Sequence, residues 1–175
     1  MAAMAKLDMA VDTFERAIAS AGTADACWAA LEELSQAVAG HRLFTVMTVD
    51  MEAGLARRAY TNNAAAYPTS GTKPIQPNGW FDIVHGQKRS FIANTLADIA
   101  NVFPDHELIG SLGLGSVVNL PIVLNGELAA TINMLDVPGH YTPGRVCAIE
   151  TQLGLPSRLA YLAARQFDSS GKSGN

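Results

Sequence analysis

The chain has 175 residues and a formal net charge of −4, from 12 Lys plus Arg against 16 Asp plus Glu. That length suits one domain with end helices, and an acidic chain without a basic run is a poor match for nucleic acid or an anionic membrane surface. Apolar residues make up 49% and charged residues 16%, which excludes general disorder and predicts that a second copy covers part of the surface.

Two helices are predicted first. Leu7, Val11, Phe14 and Ile18 share one face, and Gly22 stops that helix. Thr23 can cap the next, whose apolar stripe is Trp28, Leu31, Leu34 and Val38, ending at Gly40. Leu43 to Asp50 and Leu55 to Asn62 then read as an antiparallel hairpin. Strict alternation in its second strand puts Ala56, Arg58, Tyr60 and Asn62 on one side, and Leu55, Arg57, Ala59 and Thr61 on the other. Residues 63–79 hold three prolines and two glycines and are expected as a loop without a regular element. Trp80 to His85 reads as a helical turn and Ser90 to Ile92 as a short strand. Two short helices, Leu96 to Val102 and Asp105 to Leu112, are separated by Pro104, and Gly113 and Gly115 end the second. A connection this long inside one domain is usually functional.

The clearest hairpin joins Ser116–Leu124 to Glu127–Leu135 through Asn125-Gly126, the pair favoured in a type I′ turn. An uninterrupted register from that turn pairs Val118 with Asn133 and Asn119 with Ile132. Asn119 and Asn133 should then point to opposite faces, unless a bulge near Pro121 intervenes. Thr142-Pro143 opens a long helix reaching about Phe167. Val146, Ile149, Leu153, Pro156, Ala160 and Ala163 make a heptad-like seam, with a kink expected at Pro156. The order describes an α+β fold, with an antiparallel sheet, terminal helices on one face and a loop-and-helix layer on the other.

Cys27 and Cys147 are too few for a disulfide framework or a four-ligand zinc site, and both are expected as buried small hydrophobes. No apolar run approaches the roughly 20 residues that span a bilayer, and the first residues lack a secretory h-region. The expectation is a cytoplasmic protein.

The stretch Leu112-Gly113-Leu114-Gly115-Ser116-Val117-Val118-Asn119-Leu120-Pro121-Ile122, with Asn125-Gly126-Glu127 and Ala130-Thr131-Ile132-Asn133-Met134-Leu135, resembles the final hairpin of GAF domains. Ala93-Asn94-Thr95, Asp98-Ile99 and Phe103-Pro104-Asp105-His106 resemble the variable connecting segment of that family. The likeness covers residues 24–165, and the GAF-like domain is delimited as 23–167. It lies between an N-terminal helix, 1–22, available for dimerisation, and a polar disordered tail, 168–175. The resemblance implies a pocket between the sheet and residues 63–115, and a homodimer through the terminal helices. It does not extend to the NKFDE-like string of cyclic-nucleotide-binding members, to a bilin-attaching loop cysteine, or to the clustered cysteines of the free methionine sulfoxide reductases.

Candidate ligand-binding residues are the aromatics Tyr60, Trp80, Phe81 and Phe103 and the amides Asn94, Asn119 and Asn133. Each has a structural alternative: core packing for the aromatics, loop bracing for the amides. Asp105 and His106 are the most suggestive acid–base pair, although Asp105 also sits where it can cap a helix. His85 can be a pocket group or close a helix C-terminus, and Asp98 is a further acid. His41 and His140 share no metal-ligand spacing with the others, so no metal site is expected. Arg57 and Arg58 lie on opposite faces, where one can hold a carboxylate or phosphate or both can be solvated. Gly110, Gly113 and Gly115 lead into a strand and do not form a dinucleotide fingerprint.

Two functions follow. One is a stand-alone domain that binds a small organic ligand and signals in trans as a sensor. The other is a small catabolic lyase, hydrolase or isomerase on the same fold. Either admits haem as cofactor, with His85 or His106 as axial ligand.

Overall fold

The computed structural model describes residues 2–170. Helices α1 (Ala2–Ser20) and α2 (Ala24–Val38) precede strands β1 (Leu43–Asp50), β2 (Leu55–Thr61) and β3 (Thr72–Pro74). A short α3 (Gly79–Phe81) continues into a π-helical turn, Asp82–Gly86. Then come β4 (Phe91–Ala93), α4 (Leu96–Ala100), α5 (His106–Ser111), β5 (Ser116–Leu124), β6 (Glu127–Asp136) and α6 (Pro143–Ser170). The six strands form one sheet in the order β3-β2-β1-β6-β5-β4, every pair antiparallel.

Local chemistry sets the boundaries. Thr23 accepts from the Ala26 amide and caps α2. The Asn125-Gly126 turn has positive φ at both residues, as type I′ requires. At the end of α5, Gly113 adopts φ +73° and donates to Gly110, while Leu114 donates to Ile109. That double closure is a Schellman motif, which needs the left-handed residue that glycine supplies without strain.

One core lies between the sheet and the α1/α2/α6 layer. Trp28, Leu31 and Leu34 of α2 and Ile149, Leu153 and Ala160 of α6 pack on Phe44, Val46, Val118, Ile122, Ile132 and Met134. A second, smaller cluster on the opposite face joins Leu43, Val117 and Leu135 to Tyr67, Ile99 and Ile109. Each strand thus alternates between the two layers.

The structure corrects several expectations. Residues 63–79 contain β3, which pairs with the start of β2. The α6 helix runs unbroken past Pro156 to Ser170, so the expected tail is helical over 168–170, and 171–175 lie outside the described residues. Cys27 is buried, but Cys147 is exposed. The heptad-like seam of α6 faces the chain's own core: Ile149, Leu153 and Ala160 are fully buried there. A different stripe, Leu155, Leu159 and Leu162, is left exposed.

Two bulges decide which side chains meet. In the β5–β6 hairpin Leu124 pairs with Glu127 and Val123 with Leu128, as the turn dictates, but Ile122 pairs with Ala130. Ala129 is the extra residue, close to Pro121, whose ring nitrogen has no proton for the ladder. From there Asn119 pairs with Asn133, not with Ile132, so the two amides share a face. In the β1–β2 pair Val46 faces Tyr60 while Met47 faces Arg58, leaving Ala59 as the extra residue. Arg58 and Tyr60 are thereby sent to opposite faces, against the expected alternation.

Candidate functional site

Between the sheet and the layer formed by β3, α3 and residues 102–109 lies a half-open cavity of about 260 Å3. Its floor is the outer face of the central strands: Leu43, Thr45, Met47 and Val49 of β1, Thr131, Asn133 and Leu135 of β6, Val117 and Asn119 of β5, and Arg58 of β2. Its roof is Ile75, Trp80, Phe81 and Phe103, with Tyr67 and Asp105 to one side. Most of this lining is apolar, and the polar groups fall into two sets.

The first set crosses three adjacent strands. The Trp80 indole Nε1 donates to Asn119 Oδ1 at 3.0 Å. Asn119 Nδ2 donates to Asn133 Oδ1 at 2.6 Å, and Asn133 Nδ2 to Thr45 Oγ1 at 3.1 Å. An indole can only donate, so Asn119 must present its oxygen to Trp80. Its amide nitrogen then faces Asn133, and the same logic turns Asn133 toward Thr45. One obligatory donor on the roof thus orients the whole row. Asn119 is 3% exposed and Asn133 7% exposed, so these bonds replace water that the burial removed.

The second set surrounds Arg58. One of its Nη atoms donates to the Pro68 carbonyl at 2.9 Å, and the guanidinium lies 4.9 Å over the Tyr67 ring. The Tyr67 hydroxyl donates to Asp105 Oδ2 at 2.9 Å. Arg58 Nε is buried and makes no hydrogen bond. Burial pulls the Arg58 pKa down, against opposing pulls from Tyr67 and Asp105. Burial pushes the Tyr67 phenol far up, and the neighbouring Asp105 carboxylate adds to it.

Of the residues picked from sequence, Trp80, Phe81, Phe103, Asn119, Asn133 and Asp105 line the cavity. Asp105 occupies the N-cap position of α5, yet its side chain makes no cap bond and holds Tyr67 instead. Tyr60 lies on the other face, where it packs against Phe44 and donates to Glu32 Oε2 at 2.6 Å. Asn94 braces the chain before α6 through reciprocal bonds with the Tyr141 backbone. Asp98 bonds Thr95 at the start of α4. Neither His85 nor His106 lines the cavity: the His85 ring stacks on Phe81 at 4.5 Å, and His106 Nδ1 lies 3.1 Å from the Phe103 carbonyl. His41 and His140 sit beyond the far face of the sheet, on Gln36 and the Ala39 carbonyl. Among the described residues no cluster of His, Cys, Asp and Glu could hold a metal ion.

Thr45, Tyr67 and Thr131 were not picked from sequence. Thr45 and Thr131 follow from the strand alternation once the face is known. Tyr67 sits in a proline-flanked loop whose placement no periodicity reports.

No protein-family model matches the sequence, and no curated protein matches it. Solved structures do match in shape. The GAF domain of a two-component sensor histidine kinase from Bacillus halodurans is 11% identical, with a TM-score of 0.64 over 83% of this chain and 96% of that one. The GAF domain of a phosphoenolpyruvate-protein phosphotransferase from Coxiella burnetii is 14% identical, with a TM-score of 0.63 over 98% of this chain and 99% of that one. The chromophore-binding domain of a bacteriophytochrome from R. palustris is 10% identical, with a TM-score of 0.63 over 95% of this chain and 62% of that one. The chain has the GAF fold. Among the described residues no helix is long and apolar enough to cross a membrane.

Proposed function

We propose that the chain is a binding domain for a small, largely apolar organic molecule and that it acts in trans as a sensor of that molecule. The observation that carries this reading is the cavity, whose roof and floor are joined by the Trp80–Asn119 bond. A molecule entering it must lie against that bond or replace it, so occupancy alters how the roof sits on the sheet. Asn119 stands on β5, whose opposite face, at Val118 and Leu120, belongs to the core shared with α2 and α6. A shift at the roof therefore has a packed route to the terminal helices. Solved domains of this shape come from a two-component sensor histidine kinase and from the chromophore-binding domain of a bacteriophytochrome, which supports the same reading.

The exposed Leu155, Leu159 and Leu162 stripe on α6, with Met9 on α1, is the surface through which the chain would form a homodimer. The free thiols of Cys27 and Cys147 suit a reducing cytoplasm. The enzyme reading has weaker support, because the histidines it relied on stand outside the cavity. It would fall to Asp105, Tyr67 and Lys73.

A thermal-shift screen of small aromatic and aliphatic compounds tests the proposal. Hits should raise the melting temperature of the wild type and leave Met47→Trp, which fills the floor, unmoved. Hits that stabilise both alike, or no hit at all, would refute it. Sedimentation of Leu155→Lys/Leu162→Lys tests the dimer, which should dissociate with unchanged helicity. A wild-type chain that sediments as a monomer would end that part of the proposal.

A further inference from the structure

The polar and charged groups that line the cavity point to the chemistry of its ligand. Both asparagine oxygens accept a bond within the row, Asn119 Oδ1 from Trp80 and Asn133 Oδ1 from Asn119. Thr45 Oγ1 accepts from Asn133, which leaves its own proton to give. Each amide also keeps a second N–H. Asn78, on the roof, spends its oxygen on the Phe81 amide and its nitrogen on the Val102 carbonyl. On the acceptor side stand the Asp105 carboxylate, bonded to Tyr67 through one oxygen, and Gln76 and Thr131. The row thus keeps groups that can donate to a ligand: the second N–H of each amide and the Thr45 hydroxyl.

Charge points the same way. Arg58 and Lys73 line the cavity against the single carboxylate of Asp105. No carboxylate forms an ion pair with Arg58 among the described residues. Its Nε is shielded and makes no hydrogen bond, and one Nη is spent on Pro68, so the remaining Nη–H groups of this half-buried guanidinium are the donors a ligand can meet. Pro68 and the Tyr67 face hold the guanidinium in place, so the open donors are fixed rather than wandering. Register sets it beside the polar row. Arg58 pairs with Met47, and Met47 is two residues along β1 from Thr45, on the same face.

We infer that the ligand of this cavity is a small monocarboxylate, its acid group received by Arg58 and the Thr45 hydroxyl and its apolar body lying under Trp80, Phe81 and Phe103. This rests on the binding-domain reading above and adds the class of molecule bound. One carboxylate matches the one excess positive charge of the lining. It also supplies acceptor lone pairs to the Nη side of the guanidinium and to Thr45, where charge-assisted bonds are strong. A phosphate ester would bring up to two charges against that single excess, with Asp105 close by.

The test is an NMR titration of the full chain at neutral pH with phenylacetate, phenylacetamide and phenyl phosphate. The indole N–H signal of Trp80 is followed, and Trp28, in the core on the far side of the sheet, serves as control. Phenylacetate should bind about tenfold or more tighter than its neutral amide, as expected for a charge-assisted contact in a largely apolar cavity. The gap should vanish in Arg58→Gln and narrow in Thr45→Val. This ratio is read first in the wild type, so it does not depend on either variant folding. Equal or tighter binding of phenylacetamide overturns the carboxylate assignment and leaves the cavity as a binding site for neutral molecules. Tighter binding of phenyl phosphate overturns it in favour of a phosphate site. If none of the three probes moves the Trp80 signal, the carboxylate assignment and the binding-domain reading fall together.

Discussion

Trp80 on the cavity roof donates its indole proton to Asn119 on the sheet floor at 3.0 Å. It links a three-residue helix to the central sheet. Removing the donor while keeping a ring isolates its contribution. In Trp80→Phe the Asn119 oxygen loses its partner in a largely dry site, which should lower stability by about 1–3 kcal/mol. Urea denaturation measures this. A change within error of zero would mean that water or a rotated amide replaces the indole.

The Asn119–Asn133 pair makes a second prediction. Each amide satisfies the other and one further group. Asn119→Ala and Asn133→Ala should each destabilise, but the double variant should lose less than the sum, with a coupling of about 1 kcal/mol. If the two losses simply add, the row is a set of independent bonds and not a relay.

This pair also shows where sequence reasoning runs out. The turn at Asn125-Gly126, the Thr23 cap and the helix stripes were legible because each depends on a local rule. The face of Asn119 relative to Asn133 was not, because side chains alternate with period two and one inserted residue reverses everything beyond it. The inserted residues are Ala129 and Ala59, both too small and too neutral to mark a bulge. The proline near the first one was the available hint. The second bulge carried Tyr60 away from Arg58, so the expected pocket aromatic packs against the core on the other face and the arginine lines the cavity. The α6 seam misled for another reason: a heptad stripe reports that a face is covered, and here the chain's own sheet covers it.

Gly115 and Gly113 separate space from conformation. A Cβ on Gly115 would clash with Pro138 Cγ and lie 2.9 Å from its Cδ. The contact is with a rigid ring, so Gly115→Ala should cost about 1–3 kcal/mol through overpacking. Gly113 has nothing within 4 Å of such a Cβ, but its φ is +73°. Gly113→Ala should cost about 1–2 kcal/mol from backbone strain alone. Replacing Pro138 by Ala in addition should rescue Gly115→Ala and leave Gly113→Ala unchanged. Equal rescue of both in thermal melts would contradict the assignment.

His41 gives the fold a pH-dependent element. It is 7% exposed, and its Nδ1 lies 2.9 Å from Gln36 Oε1. That oxygen can only accept, so Nδ1 carries the proton and Nε2 is left as a bare lone pair, buried without a partner. Protonating Nε2 would put a charge on a buried ring packed T-shaped against Phe44, 5.2 Å away between ring centres. Burial accordingly lowers the His41 pKa below its ordinary 6.5; Glu32 and Asp136 pull it up, and His140 pushes it down. The sign follows from proton counts. Below the ordinary value of 6.5 the unfolded chain binds a proton that the folded chain refuses. Stability should therefore fall as pH drops from that value toward the folded pKa, and level off below it. One proton sets the steepest possible contribution at about 1.4 kcal/mol per pH unit. His41→Phe removes the titrating group while keeping an aromatic ring against Phe44. The difference in unfolding free energy between wild type and variant should shift in the variant's favour as pH falls through this window. A difference that stays constant with pH would show that His41 takes up its proton equally in both states and that Nε2 has found a partner.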